Sequence, residues 1–378
     1  MTSPLLDAPG GPLLLRRPGA GDPSLRAWDA ADEQLLGEAH DRLHPGSAPR
    51  VLVVDDTLGA LTLGLDAFLP TVVADSAAFA SALAGNLDLN PGVSGPRGVH
   101  NWGSPPEGRF DVILLRIPRH GDYLAWLLRW VNDHLAEDGL LLAGGMIKHL
   151  PDRSVEVFAG AVETEQVLPA RKKARVIVCR KGPAGLAGWP GVWKGYSLEG
   201  GWPRLEALPA VFSRERLDIG TRALLPHVEE LVRGLPPAPR ILDLACGNGV
   251  LGLVALIARP DSELVFSDVS SQALLSARHN AGQASPERPP VFLHGDGIVG
   301  DPGPFDLILL NPPFHDGGAV GDHVALRLFS HATRQLSGTG RLLMVGNRHL
   351  GYHRSLKRFF SKVRQRDATP KFVVFEAC

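Results

Sequence analysis

The tetrapeptide Asn311-Pro312-Pro313-Phe314 places an amide, two rigid residues and an aromatic ring directly after an apolar run, residues 305–310. The run reads as a buried strand, so the tetrapeptide is predicted to lie at the strand's carboxyl end. An exocyclic aromatic amine is a poor nucleophile because its lone pair is delocalised into the ring. The Asn311 side-chain oxygen and the Pro312 carbonyl can accept hydrogen bonds from the two N–H groups of such an amine. Phe314 can stack on the nucleobase that carries it. An ordinary Pro-Pro loop is the alternative, but the residue types favour group transfer to a planar nitrogen.

A glycine-rich turn after an earlier apolar strand forms the second half of the predicted site. The strand, residues 241–244, contains Asp243 and runs into a turn with Gly247 and Gly249 before a helical pattern. Glycine lets a ligand approach the backbone, and the helix N-terminus then lies beneath that ligand. The string GNGVLG also matches the dinucleotide fingerprint, so the turn alone leaves a nicotinamide cofactor open. Together with the Asn-Pro-Pro-Phe corner it predicts S-adenosylmethionine as a methyl donor, with Asp243 suited to its amino group.

Two further acidic residues follow strands in the same half of the chain. Asp268 ends the next strand, 19 residues after Gly249, where a carboxylate can accept the ribose hydroxyls of a nucleoside cofactor. A helix N-cap is compatible with the same residue. Asp296 follows the strand at 291–293 and can accept a hydrogen bond from the adenine amino group. A role as an ordinary turn residue explains Asp296 nearly as well.

The chain contains one pattern of strands and helices twice. The matching blocks are residues 50–65 with 240–255, 71–90 with 263–280, and 110–120 with 305–315. This alignment pairs Asp75 with Asp268. Strands that alternate with helices predict a parallel sheet covered on both faces, with ligands at the carboxyl ends of the strands. We therefore predict an α/β fold of tandem duplicated Rossmann-like methyltransferase domains, with residues 1–181 and 210–378 joined by a Gly/Pro/Trp-rich linker at 182–209. We expect one hairpin of this linker to pack on the second domain.

The first copy lacks the residues that would carry the chemistry. Its glycine turn reads DTLG (56–59), which puts a side chain where the ligand would approach. Its corner reads RIPR (116–119), without the amide or the aromatic ring. We predict that this copy is degenerate and binds RNA, with Arg116 and Arg119 holding phosphate groups.

The composition is that of an ordinary globular protein. Hydrophobic residues make up 44% of the 378 positions and the formal net charge is −1, so any nucleic-acid contact has to come from a local basic face. Apolar runs are too short for a membrane span or a signal peptide. The cysteines and histidines show neither disulfide nor metal spacing. We expect a cytoplasmic monomer that holds no metal and binds no membrane.

Three segments make the chain resemble the RsmC/RlmG family of ribosomal RNA guanine-N2 methyltransferases: VFSRERLDIGTRALLPH (211–227), LDLACGNGVLGL (242–253) and NPPFHDGGAVGDHVALRLFSHA (311–332). The resemblance covers nearly the whole chain. It implies tandem domains of which only the C-terminal one binds S-adenosylmethionine, and a target guanine held by Asn311, Pro312 and Phe314. It implies that the cofactor site is lined by Asp243, Gly247, Gly249 and Asp268. The residues that it implies close over the cofactor or the base are Phe212, Ser213, Asp218 and Thr221.

Basic residues cluster at two places that we predict to contact RNA. A solvated helix face explains either cluster by itself, whereas two clusters beside a base-binding corner favour an RNA groove. The predicted contacts are Arg116, Arg119, Lys172, Lys173, Arg348, His349, Arg354, Lys357 and Arg358. The segments 346–360 and 370–377 and the RIPR corner also resemble the large-subunit branch of the family, which modifies 23S rRNA.

These patterns predict S-adenosylmethionine-dependent methylation of the exocyclic N2 amine of a guanosine in ribosomal RNA, with 23S favoured over 16S. The alternatives are a guanosine of 16S rRNA, transfer to adenine N6 or to a protein glutamine, and a non-catalytic RNA-binding factor. The intact Asn311 and Gly247 argue against the last of these.

Overall fold

The computed structural model describes residues 4–18, 25–198, 202–284, 286–313, 315–316, 319–320 and 323–378. It separates into two compact units, Met1–Val192 and Trp193–Cys378. Each unit contains a seven-stranded sheet preceded by a two-stranded hairpin. None of the helices in these ranges is both long enough and apolar enough to span a membrane.

The first unit begins with the hairpin and continues with alternating helices and strands. Its elements are β1 (Leu5–Ala8), β2 (Gly11–Leu14), α1 (Ala30–Arg42), β3 (Val51–Val54), α2 (Ala60–Gly64), β4 (Thr71–Val73), α3 (Ala78–Asp88), β5 (Gly98–His100), β6 (Phe110–Arg116), α4 (Gly121–His134), β7 (Leu135–Met146), α5 (Ser154–Ala159), β8 (Glu163–Val167) and β9 (Ala174–Arg180). The strand order in the sheet is β5-β4-β3-β6-β7-β9-β8. Only β8 and β9 run antiparallel to their neighbours.

The second unit repeats this plan. Its elements are β10 (Lys194–Ser197), β11 (Arg204–Ala207), α6 (Ile219–Arg233), β12 (Arg240–Leu244), α7 (Val250–Ala258), β13 (Glu263–Asp268), α8 (Ser271–Gly282), β14 (Val291–His294), β15 (Phe305–Leu310), β16 (His315–Asp316), β17 (Ala319–Val320), α9 (His323–Gln335), β18 (Leu336–Asn347), α10 (Tyr352–Leu356), β19 (Val363–Ala368) and β20 (Phe372–Ala377). The order of the large sheet is β14-β13-β12-β15-β18-β20-β19, the same as in the first unit. The predicted tandem Rossmann-like architecture is confirmed.

The strands at the centre of each sheet are buried on both faces. Every residue of β3 is buried, as are residues 241–244 of β12 and 307–310 of β15. Parallel strands that are covered by helices on both sides need such continuous apolar runs. Each leucine or isoleucine buried there contributes about 1.5–3 kcal/mol.

Strand register shows which residues of the two units are equivalent. Leu244 of β12 pairs with Leu310 of β15, and Val54 of β3 pairs with Leu115 of β6. The next residue after Leu310 is Asn311, and the next after Leu115 is Arg116. The two predicted corners therefore occupy the same place in the two sheets.

The predicted pairing of Asp75 with Asp268 is wrong by one residue. Val54 pairs with Val73, whereas its equivalent Leu244 pairs with Ser267, so the position of Asp268 is taken by Ala74 in the first unit. The Asp75 amide lies one residue farther on and donates to Asp55 Oδ1 at 3.0 Å. Matching by residue type placed the two acids together, but the ladder hydrogen bonds define the register.

The hairpin β10–β11 lies inside the segment that was predicted to be a linker, and it belongs to the second unit. Side chains of α8 hold its outgoing strand. Asn280 Oδ1 accepts from the Glu206 amide at 3.0 Å, and Ser276 Oγ accepts from the Leu208 amide at 3.0 Å. These hydrogen bonds attach the hairpin to the helix that follows β13.

The first unit attaches its hairpin in the same way. Asn86 of α3 accepts from the Arg16 amide at 2.8 Å and donates to the Leu58 carbonyl at 2.8 Å. Asn280 likewise donates to the Asn248 carbonyl at 2.8 Å. Each asparagine therefore ties a hairpin to the turn after the first strand of its sheet.

We expect Asn280→Ala to lower the free energy of unfolding of the second unit by about 1–3 kcal/mol, because the backbone groups that it pairs lose their partners. Amide hydrogen exchange under native conditions reports the two units separately. Asn86→Ala is the matched control: it should weaken the first unit and leave exchange in the second unchanged. Loss of protection in both units from either substitution would contradict this assignment.

Candidate active site

The two glycines of the predicted cofactor turn have different roles. Gly247 and Gly249 both have positive φ, at 56° and 80°. A Cβ added at Gly247 would meet no atom within 4 Å, whereas one at Gly249 would lie 2.8 Å from the Ala277 Cβ. Gly247 thus borders open space in which a ligand can contact the backbone, and Gly249 lets the turn pack against α8.

Asp268 lies against this turn. Its Oδ2 accepts from the Gly247 amide at 2.8 Å, and its Oδ1 accepts from the Ser270 amide at 2.9 Å. The structure therefore brings the predicted ribose acceptor next to the predicted cofactor turn, at the carboxyl ends of adjacent strands.

Asp243 is fully buried beneath the turn rather than on its surface. Its Oδ2 accepts from the Gly252 amide at 2.8 Å, in the first turn of α7, and its Oδ1 has no hydrogen-bond partner among the described residues. Burial raises the pKa of this carboxyl to about 8. A buried oxygen without a partner among the described residues, beneath a turn whose Gly247 borders open space, fits a cofactor that supplies a donor.

Asp296 is already engaged by a basic side chain that the sequence patterns did not single out. Both of its carboxylate oxygens pair with the guanidinium of Arg327 on α9. The predicted contact with an adenine amino group therefore has to compete with this bidentate ion pair.

The Asn311 side chain is held by the start of α6. Its Nδ2 donates to Thr221 Oγ1 at 2.9 Å and to Asp218 Oδ2 at 3.3 Å. Its Oδ1 is buried and has no hydrogen-bond partner among the described residues. The amide thus has a satisfied nitrogen and an unused oxygen, which is the group that the predicted chemistry requires.

The structure gives fewer contacts for the other residues predicted to surround the base or the cofactor. Pro312 is buried and Pro313 is exposed, while Phe314 lies outside the described residues. Phe212 is 65% exposed, and Ser213 has φ of 53°. Their predicted approach to the cofactor or base remains a prediction.

At the equivalent corner of the first unit, Arg116 forms ion pairs with two carboxylates, and its predicted contact with RNA stays a prediction. Arg116 Nη2 lies 2.9 Å from Asp29 Oδ2, and its Nε lies 3.0 Å from Asp32 Oδ1. The Arg116 side chain is only 13% exposed. Burial raises the pKa of Asp32 to about 7, although the Arg116 charge opposes the shift. A phosphate group would have to compete with these two carboxylates for the guanidinium.

The glycine turn of the first unit is filled by a carboxylate of its own. Asp56 Oδ2 accepts from the amide and the hydroxyl of Thr62, at 2.9 and 2.8 Å, and its Oδ1 accepts from the Gly59 amide at 3.2 Å. These amides are the ones that a helix N-terminus would offer to a ligand.

The remaining predicted RNA contacts lie at the surface. The exposed ones are Arg119, Lys172, Lys173, Arg348, His349, Arg354, Lys357 and Arg358. Lys172 pairs with Glu33 at 2.7 Å, and Arg348 donates to the Thr369 carbonyl. Among the described residues, no acidic side chain forms an ion pair with Arg354, Lys357 or Arg358, and no cluster of three potential metal ligands occurs.

The sequence patterns also missed the contact that supports the cofactor turn from the hairpin. Asn248 Nδ2 donates to the Tyr196 hydroxyl of β10 at 3.1 Å, and Asn248 Oδ1 accepts from the Val250 amide. Tyr196 and Asn248 are 52 positions apart, and no local pattern relates them.

Alanine substitutions at Gly247 and Gly249 should distinguish a glycine that contacts the ligand from one that is needed for packing. We expect Gly249→Ala to destabilise the second unit by more than the ~1–2 kcal/mol cost of a left-handed alanine, because its Cβ would meet α8. Gly247→Ala has only the backbone cost and should mainly weaken binding of S-adenosylmethionine. Thermal unfolding and calorimetric titration with the cofactor measure the two effects. Equal stability losses with equal affinities would refute the distinction.

The raised pKa of Asp243 predicts how stability depends on pH. An unfolded aspartic acid titrates near 3.9, so the folded state binds the proton more tightly. The contribution is complete below about pH 4 and is lost as the pH rises through about 8. Asp243→Asn removes it, so the variant should gain stability relative to the parent chain as the pH rises from about 4 to about 8. If the difference in free energy of unfolding between the variant and the parent chain stays constant over this pH range, the pKa of Asp243 is not raised.

Comparison with known proteins agrees with the two-unit plan. The family model described as "RLMG N-terminal domain" matches residues 3–183, and the "Methyltransferase small domain" model matches residues 203–376. The chain is 40% identical to Ribosomal RNA large subunit methyltransferase G of Stutzerimonas stutzeri and 41% identical to that of Pseudomonas putida KT2440, with 99% of each chain covered in both cases.

A solved structure shares the fold over both units. It is the Thermus thermophilus enzyme described as a 16S rRNA N2 G1207 methyltransferase (RsmC) in complex with AdoMet and guanosine. The match has a TM-score of 0.76 at 22% identity and covers 99% of this chain and 96% of the other. From the full-length similarity to its relatives, the chain belongs to the family of the ribosomal RNA large subunit methyltransferase G, whose members are methyltransferases.

Proposed function

We infer that the chain transfers the methyl group of S-adenosylmethionine to the exocyclic N2 amine of a guanosine in ribosomal RNA, and that the RNA is 23S. The observation that carries this function is the Asn311 side chain: its nitrogen is bound at the start of α6, and its buried oxygen has no hydrogen-bond partner in the part of the chain that the structure describes. The corner adjoins the glycine turn because Leu244 and Leu310 pair in the sheet.

In this reaction the residues of the chain orient the amine and do not remove its proton first. Asn311 Oδ1 accepts one N–H of the guanine amine, and the Pro312 carbonyl is suited to accept the other. These two acceptors favour a pyramidal nitrogen and direct its lone pair away from the ring. The cofactor supplies an electrophilic methyl group on its sulfonium. With the cofactor bound, transfer would form the N–C bond as the S–C bond breaks, and the methylated amine would then lose a proton to water.

The cofactor would lie on the glycine turn. Gly247 offers open backbone, Asp268 lies beside it for the ribose, and the unpaired Asp243 Oδ1 can accept from the methionine amino group. Positive charge on that amino group would favour the ionised carboxylate, which burial alone disfavours.

The large subunit is favoured because relatives of that name are about 40% identical over their whole length. The RNA would meet exposed basic residues in both units. Arg354, Lys357 and Arg358 offer positive charge next to β18 in the second unit, and Arg119 and Lys173 offer it in the first. We propose that residues 1–181 bind RNA, that residues 210–378 catalyse, and that a monomer acts in the cytoplasm, where ribosomal RNA is found.

Transfer of tritium from labelled S-adenosylmethionine tests the function directly. The substrates are 23S and 16S rRNA, each offered deproteinised and as ribosomal subunits, with nucleoside analysis of the product. Label in N2-methylguanosine of 23S rRNA is expected. Label in 16S rRNA would transfer the assignment to the small subunit, and label in N6-methyladenosine or in protein glutamine would replace the acceptor. Cofactor binding without any transfer would favour a non-catalytic RNA-binding role.

Asn311→Ala should lower turnover by about 10²–10³-fold, because the amine loses the acceptor that orients it. Calorimetric affinity for S-adenosylmethionine and the thermal unfolding temperature should stay near the values of the parent chain. Single-turnover methylation at saturating cofactor measures the chemical step. Turnover within a few-fold of the parent would show that the corner is not where transfer occurs.

A further inference from the structure

We propose that Asp218 and Thr221 are positioning residues that fix the orientation of the Asn311 amide, rather than ligands of the cofactor. The inference rests on the proposed function of this corner. It changes the role that the family resemblance implied for both residues.

The contacts form a closed arrangement at the first turn of α6. Asp218 is the N-cap of this helix, and its Oδ2 accepts from the Thr221 amide at 2.9 Å. The same oxygen lies 3.3 Å from Asn311 Nδ2 and 3.3 Å from Thr221 Oγ1. Thr221 Oγ1 accepts from Asn311 Nδ2 at 2.9 Å. Thr221 is 5% exposed, whereas Asp218 and Asn311 are partly buried.

A carboxylate makes this arrangement directional. Asparagine carries an oxygen and a nitrogen of nearly equal size, and only the hydrogen-bond partners decide which points where. Asp218 accepts and does not donate, so it attracts the amide nitrogen and repels the amide oxygen. With Asn311 turned over, its oxygen would face that carboxylate and its nitrogen would face the substrate. The substrate amine needs acceptors, so the reversed amide would leave it without one.

The first unit retains the same contact with different chemistry. Asp29 is the N-cap of α1, and Asp32 is the third residue of that helix, as Asp218 and Thr221 are in α6. Both acids contact Arg116, which stands where Asn311 stands in the second unit. In the first unit two carboxylates face the cationic Arg116 side chain. In the second unit one carboxylate and one hydroxyl face the Asn311 amide. Contact between the helix start and this strand end therefore belongs to the fold, and the polar groups match the side chain that they hold.

The threonine hydroxyl provides the cleanest test. Thr221→Val keeps the shape and the backbone N–H but removes the acceptor of the 2.9 Å hydrogen bond. We expect single-turnover methylation of the rRNA substrate to fall by roughly 10- to 100-fold, because a small misplacement of a reacting group is costly. The calorimetric Kd for S-adenosylmethionine should stay within about twofold of the parent value. Thr221→Ser is the matched control that returns the hydroxyl, and it should restore most of the lost turnover.

Asp218→Asn tests the charge while keeping a good N-cap. The capping oxygen still faces the Thr221 amide, so the fold should be retained and turnover should fall less than in Thr221→Val. In an Asn311→Ala background, Thr221→Val should have no further effect on turnover, since its action passes through the missing side chain.

The possible results distinguish failure of the positioning role from failure of the proposed methyl transfer. If Thr221→Val raises the Kd for S-adenosylmethionine and leaves turnover at saturating cofactor intact, the residue is a cofactor ligand and the inference is overturned. Independent losses in the Asn311→Ala background would overturn it as well. If the parent chain transfers no methyl group to RNA, the proposed function fails first, and the inference fails with it.

Discussion

Parallel pairing of β12 with β15 is the constraint on which the site of the second unit depends. Leu244 and Leu310 end these strands opposite one another, so the glycine turn and the Asn311 corner leave the sheet side by side. Both strands are buried on both faces, and a slip of one residue would turn every side chain to the opposite face. Burial of the apolar runs thereby sets the position of the polar groups that follow them.

The two units share one sheet topology but place the carboxylate that binds the first turn of the following helix differently. In the second, Asp243 reaches the Gly252 amide from within the strand and leaves the turn above it free of side chains at Gly247. In the first, Asp56 reaches the equivalent Thr62 amide from the turn itself. Either carboxylate satisfies the first turn of the helix, and in the second unit Gly247 of the turn borders open space.

Much of this could be predicted from the sequence, and the errors have a common origin. The apolar runs, the turns and the repeated blocks are local, so they predicted the tandem α/β fold and the neighbourhood of Gly247 and Asp268. The ion pair of Arg116 was not predicted because its partner Asp29 is 87 positions away. Asp75 was misaligned because residue type does not determine a strand's register.

The sequence by itself determined where the strands end and which residue types stand there, because burial periodicity and glycine conformation are properties of short segments. Only the tertiary structure decided which of those polar groups are already paired. Asn311 meets Thr221 across 90 positions, and Asp296 meets Arg327 across 31. The strength of a charge or an amide as a binding group depends on its partners and on its burial, and both arise only when distant segments pack together.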